Sequence, residues 1–406
     1  MEKLAQMIQS RVDSQTWKPF KLSRGGVSIS HLFFADDLML FAQAFGEQID
    51  IIMDCLNQFA KSLGLILNLQ KSKLFVSRNV HVVVANSLSN RSGIPLTSTL
   101  GTYLGIPITH GRHSHTNYRY ILEKMQRKLS NWKGANLSLV GRKVLVQSVT
   151  ASILACSMQA ILLPKTTCEA IDWLNRNFLW GSELGARKPH LVSWDVVCSK
   201  KKFSGLGLRT AWDYNQAFVA KLGWRLIRGD GALWCRVMKS KYLQGLNLLE
   251  AQAKLGSSFI WRGISQCCLI LKQGICLRIG SGEGVRLWYD NWTGSAPLIM
   301  HKEEAPTLPS LMVADVITSE GEWDLDFLSN LLPAETVDVI RAIPLTRNAQ
   351  LQDSMFWTSS MDGSFTVKSA YQLIQAHGIW LILCLTLGAG FGSCSVLRET
   401  GFSSGS

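Results

Sequence analysis

Residues 29–41 read Ile-Ser-His-Leu-Phe-Phe-Ala-Asp-Asp-Leu-Met-Leu-Phe, so two adjacent carboxylates stand between two apolar runs. The runs are short and rich in residues that favour strands, and the residues between them tolerate a tight turn. This pattern predicts a β-hairpin with Asp36 and Asp37 at or beside its tip. Apolar arms of this kind are expected to bury the hairpin and to leave only the two carboxylates facing a cleft.

The paired carboxylates have two interpretations. An Asp-Asp pair is common in a solvated turn, where it has no chemical role. In a cleft, however, a buried acidic pair needs a metal ion or a base as its partner. Phosphoryl transfer uses two divalent ions that oxygen ligands hold about 3.5 to 4 Å apart, and a pair at a hairpin tip supplies part of that ligand set. Asp36 and Asp37 are therefore the candidate catalytic and metal-binding residues.

The composition is that of an intracellular globular protein. With 406 residues, 47% hydrophobic and 17% charged, the chain is long enough for two or three domains and is not largely disordered. Its ten cysteines show neither Cys-x-x-Cys spacing nor a Cys/His ladder, which indicates reduced thiols and no zinc site. The N-terminus lacks a signal-peptide core, and the most apolar run, 379–388, is shorter than the roughly 20 residues of a membrane span. We expect a nuclear or cytoplasmic protein that is not secreted and has no membrane partner.

The positive charge is concentrated in the middle of the chain. Residues 110–242 contain 22 Lys and Arg against 7 Asp and Glu, a net charge of +15. The other residues carry 20 basic and 22 acidic side chains, a net charge of −2, which gives +13 for the whole chain. This distribution is typical of a surface that follows a phosphate backbone. The alternative is a solvated surface whose charges are scattered and bind nothing.

The hydrophobic pattern predicts an α+β unit at the start of the chain. Residues 47–63 carry apolar side chains at helical spacing and precede Gly64, which is suited to be the C-cap. Residues 65–76 and 103–108 are short apolar runs that favour strands.

A helical region follows and coincides with the basic segment. Residues 118–132 place apolar side chains on one helical face, and residues 136–163 form a long helix-compatible stretch that Pro164 stops. Thr166 and Glu169 have the spacing of a capping box, which predicts a further helix after them.

Two turns are predicted near the C-terminal end. Residues 274–279 and 285–289 flank the run Gly280-Ser-Gly-Glu-Gly284 and are expected to pair as a hairpin. The glycines could instead cradle a phosphate, although the run lacks the Lys-Ser/Thr of a P-loop. The second predicted turn joins two short strand-like pieces: 361–364 lies between 355–357 and 365–367.

Several runs, in this order, resemble the reverse transcriptase polyprotein of plant non-LTR (long interspersed element) retrotransposons. Residues 29–41 resemble its FADD hairpin, and residues 64–76, which include Lys71-Ser-Lys73, resemble the segment that follows. Tyr103-Leu-Gly-Ile-Pro107 resembles its YLGxP strand. Further runs resemble its thumb, namely 132–134, 137–142, 177–181 and 205–208, and the region that leads into its zinc-binding domain, namely 286–292 and 362–371.

The resemblance implies an α+β fold in which a partial right-handed-polymerase palm precedes an α-helical thumb and a small mixed C-terminal region. The expected domains are a partial palm, a basic helical thumb and connection, a mixed C-terminal connection, the start of an incomplete zinc-binding domain, and an aberrant or disordered tail. The partial palm is expected at 1–109, the thumb and connection at 110–245 and the mixed connection at 246–360. The start of the zinc-binding domain is expected at 361–378 and the tail at 379–406.

The resemblance also implies RNA-directed DNA synthesis, with an RNA template and a DNA primer, or an RNA–DNA duplex, as partners. Asp36 is expected to bind the catalytic Mg²⁺, with Asp37 beside it in the same acidic site. Lys71 or Lys73 is expected to approach the incoming triphosphate, unless the two are a solvated pair beside a strand. The remaining candidates are expected to contact the template-primer backbone without reading sequence, and they are Trp132, Lys133, Arg142 and Lys143. For Trp132, core packing is the alternative role.

The sequence also departs from the family. The family's other metal-binding Asp lies on a strand before a Gln-Gly-x-Pro-x-Ser-Pro segment, and neither is found here. Asp13 does not replace it, because residues 4–12 predict a helix that ends near this side chain. We therefore expect a truncated reverse transcriptase that is inactive alone, since its two-metal geometry is incomplete. The alternatives are a non-catalytic, sequence-independent nucleic-acid-binding protein and a chain that does not fold stably.

Overall fold

The chain forms two compact units, Met1–Leu271 and Lys272–Ser406. The computed structural model describes residues 1–23, 25–108, 115–130, 137–181, 190–294, 297–301, 306, 308–345 and 352–377. Helices dominate these residues and the sheets among them are small and two-stranded, in agreement with the predicted α+β class. The boundaries of the five domains expected from the sequence remain predictions. The tail expected at 379–406 lies outside the described residues.

Helices alternate with short antiparallel strand pairs in the first 108 residues. The helices are α1 (Glu2–Asp13), α2 (Gly46–Leu63) and α3 (Val82–Ser92), and the strands are β1 (Phe20–Lys21), β2 (Ser28–Ile29), β3 (His31–Phe34), β4 (Asp37–Leu40), β5 (Thr102–Tyr103) and β6 (Ile106–Pro107). Each strand pairs with its neighbour in the chain, β1 with β2, β3 with β4 and β5 with β6. The helix predicted at 47–63 is confirmed, and it ends at Gly64 because glycine adopts a φ of +68° without strain. The run at 103–108 forms a hairpin rather than a single strand.

Apolar side chains of α1 and α2 form the core beneath the β3–β4 hairpin. Leu4 and Ile8 lie one turn apart on α1, and Cys55 and Phe59 lie one turn apart on α2, so each helix presents one apolar face. All four belong to one buried cluster with Trp17.

The strand predicted at 65–76 does not form. The segment is irregular, with a turn at 69–71 and an isolated bridge at Leu74. The Asn68 side chain accepts a hydrogen bond from the Lys71 backbone N–H at 3.1 Å, and its carbonyl accepts another from Ser72 at 3.2 Å. Because these local bonds satisfy the backbone, they compete with pairing in a sheet.

Helices follow from residue 119 to residue 274. They are α4 (Arg119–Ser130), α5 (Leu139–Leu145), α6 (Ala151–Met158), α7 (Lys165–Leu179), α8 (Trp194–Cys198), α9 (Ala211–Ile227), α10 (Leu233–Met238) and α11 (Phe259–Gly274). The predicted capping box is wrong, because α7 begins at Lys165 with Pro164 as its N-cap, which places Thr166 within the first turn. Proline is suited to a helix start, where its missing N–H has no partner to lose.

A π-helical turn, Val146–Thr150, joins α5 and α6 into one helix of 20 residues, Leu139–Met158. This is the one helix among the described residues that is long and apolar enough to cross a bilayer, and no such helix was predicted from the sequence. Length and composition alone are weak evidence for a membrane span. Leu154 and Met158 are buried, and the helix packs against α4, α7 and α9.

The second unit pairs strands that are distant in sequence. Its elements are β7 (Ile275–Arg278), α12 (Leu325–Leu331), α13 (Ala334–Arg341), β8 (Ser354–Trp357) and α14 (Val367–His377). Since β7 pairs antiparallel with β8, the hairpin predicted between 274–279 and 285–289 is wrong. The strand predicted at 365–367 is also absent, because this segment leads into α14. Burial of Ile275 against Trp357 favours the long-range pair over the local one.

Tryptophans anchor the core of the second unit. Trp288 and Trp292 are buried with the apolar side chains around them. The Trp288 indole N–H donates to the Leu308 carbonyl at 2.8 Å, and the Trp292 indole N–H donates to the Leu287 carbonyl at 2.9 Å. Each large apolar ring is thus buried without an unsatisfied donor.

The glycine run 280–284 encloses a carboxylate of the same unit. Asp353 Oδ1 accepts hydrogen bonds from the backbone N–H groups of Gly280 and Gly282 at 2.7 and 2.9 Å. Its Oδ2 accepts a third, from Gly284 at 3.0 Å. The loop therefore binds an anion of the protein itself, and these amides are not left open for a phosphate.

Candidate functional site

The acidic pair lies at the tip of the β3–β4 hairpin, as predicted. Phe34 pairs with Asp37 in the last register position, so Ala35 and Asp36 form the turn and Asp37 begins β4. Ala35 has a φ of +51°, a left-handed conformation in which glycine is usual. The two carboxylates are therefore held at the end of a regular two-stranded support.

The opposite end of the hairpin is tied to the core. The Phe41 backbone N–H donates to the Ser30 carbonyl at 2.8 Å, and the Phe41 carbonyl accepts a hydrogen bond from the Trp17 indole at 3.0 Å. The buried Gln48 side chain accepts from the Lys18 N–H at 2.7 Å and donates to the Thr16 carbonyl at 2.8 Å, which fixes the loop that carries Trp17. These bonds position the base of the hairpin.

The hairpin is less buried than predicted. Phe33 and Leu38 pack on the core of α1 and α2, but Phe34 is 57% exposed, and Asp36 and Asp37 face solvent. A two-stranded ribbon can cover only one of its faces with this core, so the other face stays open.

The exposed pair fits part of a Mg²⁺ site. Mg²⁺ prefers oxygen ligands and is commonly bound by one or two carboxylates together with waters and substrate phosphates. The described residues bring no group of three or more His, Cys, Asp or Glu side chains together around a possible metal position. Asp36 and Asp37 thus offer two exposed, oxygen-bearing side chains to a metal ion.

Lys71 and Lys73 lie in the irregular segment after α2, and both side chains are exposed. Leu67, four residues before Lys71, packs on the same core as Phe33 and Leu38. The segment and the hairpin are therefore attached to one core. The role of the lysines toward a triphosphate stays a prediction.

Arg142 and Lys143 lie on α5, in the helical part of the chain, and not with the acidic pair. The Arg142 guanidinium donates to the Leu179 carbonyl at 3.2 Å, at the C-terminal end of α7. A cation at this end of a helix is stabilising, because the last carbonyls carry partial negative charge. This structural contact was not foreseen from the sequence. Trp132 and Lys133 lie outside the described residues.

The described residues between 115 and 242 carry many exposed cations. The exposed basic side chains there are Arg119, Lys124, Arg127, Lys128, Lys165, Lys200, Lys201, Lys202, Arg209, Lys221, Arg228, Arg236 and Lys241. Long basic side chains of this kind attract phosphate backbones without base recognition. Their exposure agrees with the charge pattern of the sequence.

Two polar residues of this region, one buried and one half-buried, were not predicted from the sequence to be important. Asn215 is 0% exposed and bridges the connection between α6 and α7: its Nδ2 donates to the Met158 and Ile161 carbonyls, and its Oδ1 accepts from the Leu163 N–H. Asp172 is half-buried, and this burial raises the pKa of its carboxyl group to about 7, although the Ala211 backbone N–H donates to it. Neither residue belongs to a motif, so no signal in the sequence distinguishes them.

Comparisons with known proteins bear on the first part of the chain most directly. Residues 1–108 match the family described as reverse transcriptase (RNA-dependent DNA polymerase). A putative ribonuclease H protein of Arabidopsis thaliana is 34% identical over 280 residues, which are 68% of this chain and 45% of that relative. An uncharacterized mitochondrial protein of the same plant is 31% identical over 137 residues, which are 34% of this chain and 89% of that protein. The chain thus spans less than half the length of the first of these relatives.

Proposed function

We propose that the chain is a fragment of a retrotransposon reverse transcriptase, and the match of residues 1–108 to the reverse transcriptase family supports this proposal. Its acidic hairpin supplies part of a Mg²⁺ site. The observation that carries this proposal is the hairpin tip, where Asp36 and Asp37 are exposed together within the matched residues. We place the protein inside the cell, in the nucleus or cytoplasm, where its nucleic-acid partners are found.

Asp36 and Asp37 would hold Mg²⁺ through their carboxylate oxygens. A bound Mg²⁺ neutralises phosphate charge and activates the attacking hydroxyl in phosphoryl transfer. The bonds of Trp17 and Ser30 to Phe41 hold the hairpin in place, which limits the reorganisation that metal binding requires. Since two carboxylates are only part of a two-metal ligand set, we expect no primer extension by this chain alone.

Metal binding can be measured without activity, by the effect of Mn²⁺ on water-proton relaxation. We expect Asp36→Asn and Asp37→Asn each to weaken Mn²⁺ binding at least about 10-fold, because each removes a charged ligand. Asp13→Asn, at the end of α1, is the matched control and should leave binding unchanged. Equal Mn²⁺ affinity in all four proteins would refute the metal site. Primer extension on RNA by the unmodified chain, abolished by Asp36→Ala, would refute the expected inactivity.

A second function is favoured by the exposed cations of the helical part. In this alternative, the protein binds nucleic acid without sequence preference and without chemistry. Exposed Lys and Arg side chains release counterions from a duplex on binding, so the affinity depends steeply on salt.

A salt titration of binding to an RNA–DNA duplex tests this alternative. If roughly 6 phosphates are neutralised, the affinity should fall on the order of 10³-fold between about 50 and 200 mM salt. Two duplexes of unrelated sequence should give the same curve. A flat salt response, or a strong preference for one sequence, would exclude this mode of binding.

A further inference from the structure

A cavity lies beside the π-helical turn between α5 and α6, in the helical part of the first unit. Its volume is about 160 Å³. The walls are mixed, with apolar side chains such as Leu154 and Leu208 and polar ones such as Asn175 and Arg209. A cavity of about 150 Å³ is large enough for one six-membered ring. The space thus suits a single-ring ligand that is partly polar.

The π-helical turn forms one side of the cavity. Val146 and Thr150 belong to this turn and line the space, and the Thr150 hydroxyl donates to the Val146 carbonyl of the same turn. A π-turn inserts one residue into an α-helix. Such turns are rare, and they are frequent at functional sites. The facing wall contains Gly207, whose φ of +68° favours glycine at this point.

Asn175 gives the cavity a polar recognition group. This side chain on α7 is 4% exposed, and its Oδ1 has no hydrogen-bond partner among the described residues. A buried acceptor without a partner costs about 1 to 3 kcal/mol. Since Asn175 lines the cavity, a rotation of its amide that turns this oxygen toward the space would let a ligand N–H group remove that cost.

The rim of the cavity is positively charged. Arg209 is exposed, and its guanidinium lies over the Tyr214 ring, 4.4 Å from the ring centroid. Stacking on a ring leaves the N–H groups at the edge of a guanidinium free to bind an anion. The exposed Lys201 lies close by, since its Cγ is 3.6 Å from the point where a Cβ on Gly207 would stand. The rim therefore suits a phosphate attached to the ligand.

We propose that this cavity binds one pyrimidine nucleotide of a single strand, with the base beside Asn175 and the phosphate at Arg209. This ligand fits the volume of the cavity, the Asn175 acceptor and the cationic rim. Its six-membered ring fills the space, an N–H of the base donates to Asn175 Oδ1, and the phosphate pairs with Arg209. The inference rests on the proposed nucleic-acid partners of the protein. It adds a single-strand contact to the backbone contacts already expected there.

The first test is the binding of CMP to the full chain, measured by ligand-observed NMR. We expect a dissociation constant of about 0.1 to 1 mM, with cytidine at least about 5-fold weaker because it lacks the phosphate. AMP, whose two-ring base is larger than the cavity, should also bind at least about 5-fold more weakly.

Asn175→Leu separates recognition from folding. It should weaken CMP binding about 10-fold and raise the melting temperature, because it removes a buried acceptor that has no partner. Asn177→Leu, on the same helix but away from the cavity lining, is the matched control and should leave CMP binding unchanged. Ala151→Leu fills the space and should abolish CMP binding.

Three results would overturn the inference: no CMP binding, equal binding of CMP and AMP, or CMP binding that Asn175→Leu and Ala151→Leu leave unchanged. Duplex binding is measured in the same samples. If it persists with its salt dependence while CMP does not bind, the cavity proposal fails and the proposed function stands. If the duplex does not bind either, the proposed nucleic-acid partners are wrong.

Discussion

Buried polar side chains determine the connection between α6 and α7. Asn215 uses both ends of its amide for this connection, with bonds of 3.1 and 2.8 Å to the Met158 and Ile161 carbonyls and of 2.6 Å from the Leu163 N–H. An amide is suited to this position because it combines donors and an acceptor in one small group.

Replacing Asn215 should destabilise the protein strongly. We expect Asn215→Leu to lower the free energy of unfolding by about 3 kcal/mol, because three buried backbone groups lose their partner. Urea denaturation followed by circular dichroism measures this change. Asn90→Ala on the exposed side of α3 should stay within about 0.5 kcal/mol of the unmodified protein. A similar small effect for Asn215→Leu would show that the three bonds contribute little.

Asp172 should make stability depend on pH. Burial, and then the neighbouring Asp213 and Asp195, raise the pKa of this carboxyl from 3.8 to about 7, although the Ala211 N–H and the Trp194 indole favour its charged form. Between these values the folded state binds a proton more tightly than the unfolded state, so the contribution of Asp172 falls as pH rises from about 4 to above 7.

Asp172→Asn removes this dependence. Near pH 4 the variant and the unmodified protein should be about equally stable, whereas above pH 7 the variant should be more stable by about 2 kcal/mol, a value reduced for the partial exposure of the side chain. Unfolding free energies measured by urea denaturation at several pH values test this. Glu169→Gln, exposed on the same helix, should give a difference that does not change with pH. The prediction is wrong if the two variants behave alike.

At the scale of elements, the glycine loop of the second unit depends on a residue 73 positions away. Asp353 accepts three backbone hydrogen bonds from 280–284, and it directly precedes β8, the partner of β7. The carboxylate therefore joins the loop after β7 to the segment before β8. Charge-assisted bonds to backbone N–H groups are among the stronger hydrogen bonds of a protein.

Asp353→Ala should lower the melting temperature of the second unit. We expect a loss of about 2 to 3 kcal/mol in unfolding free energy, because three loop amides lose their acceptor. Hydrogen exchange of the β7 backbone amides reports on this change directly. Glu283→Ala, exposed within the same loop, is the control and should leave exchange unaltered. Unchanged protection in Asp353→Ala would mean that the loop is held by other contacts.

At the scale of the whole molecule, the two units differ in charge. Residues 1–271 contain 34 Lys and Arg against 15 Asp and Glu, a net charge of +19, whereas residues 272–406 contain 8 against 14, a net charge of −6. Attraction of nucleic acid is therefore expected from the first unit.

Substitution of the exposed run Lys200, Lys201 and Lys202 tests this asymmetry. Changing all three to Gln should weaken duplex binding about 10-fold near 100 mM salt and reduce the salt slope by up to about 3. Fluorescence anisotropy at several salt concentrations gives both quantities. The same change at Lys272, Arg278 and Lys368, which are exposed in the second unit, should have little effect. Equal losses in the two triple variants would contradict a binding surface on the first unit.

Local features of the site and of the helices could be predicted from the sequence. The hairpin at 29–41 and the helix at 47–63 follow from spacing and turn residues that act over a few positions. The strand predicted at 65–76 was wrong, because the Asn68 side chain satisfies a backbone N–H locally and the segment does not pair in a sheet. The exposure of Phe34 was also not predictable from local patterns, because it depends on how much of the hairpin the core covers.

The acidic hairpin tip, the helices near 47–63 and 118–132 and the concentration of positive charge follow from the order of the residues alone. The tertiary structure alone decided the pairing of β7 with β8, the capture of Asp353 by the glycine loop, the role of Asn215 and the cavity at Asn175. The two groups of features differ in how far apart in sequence the interacting residues are. Periodicity and turn preferences act between near neighbours, whereas these contacts join distant segments and form only when packing has brought the segments together.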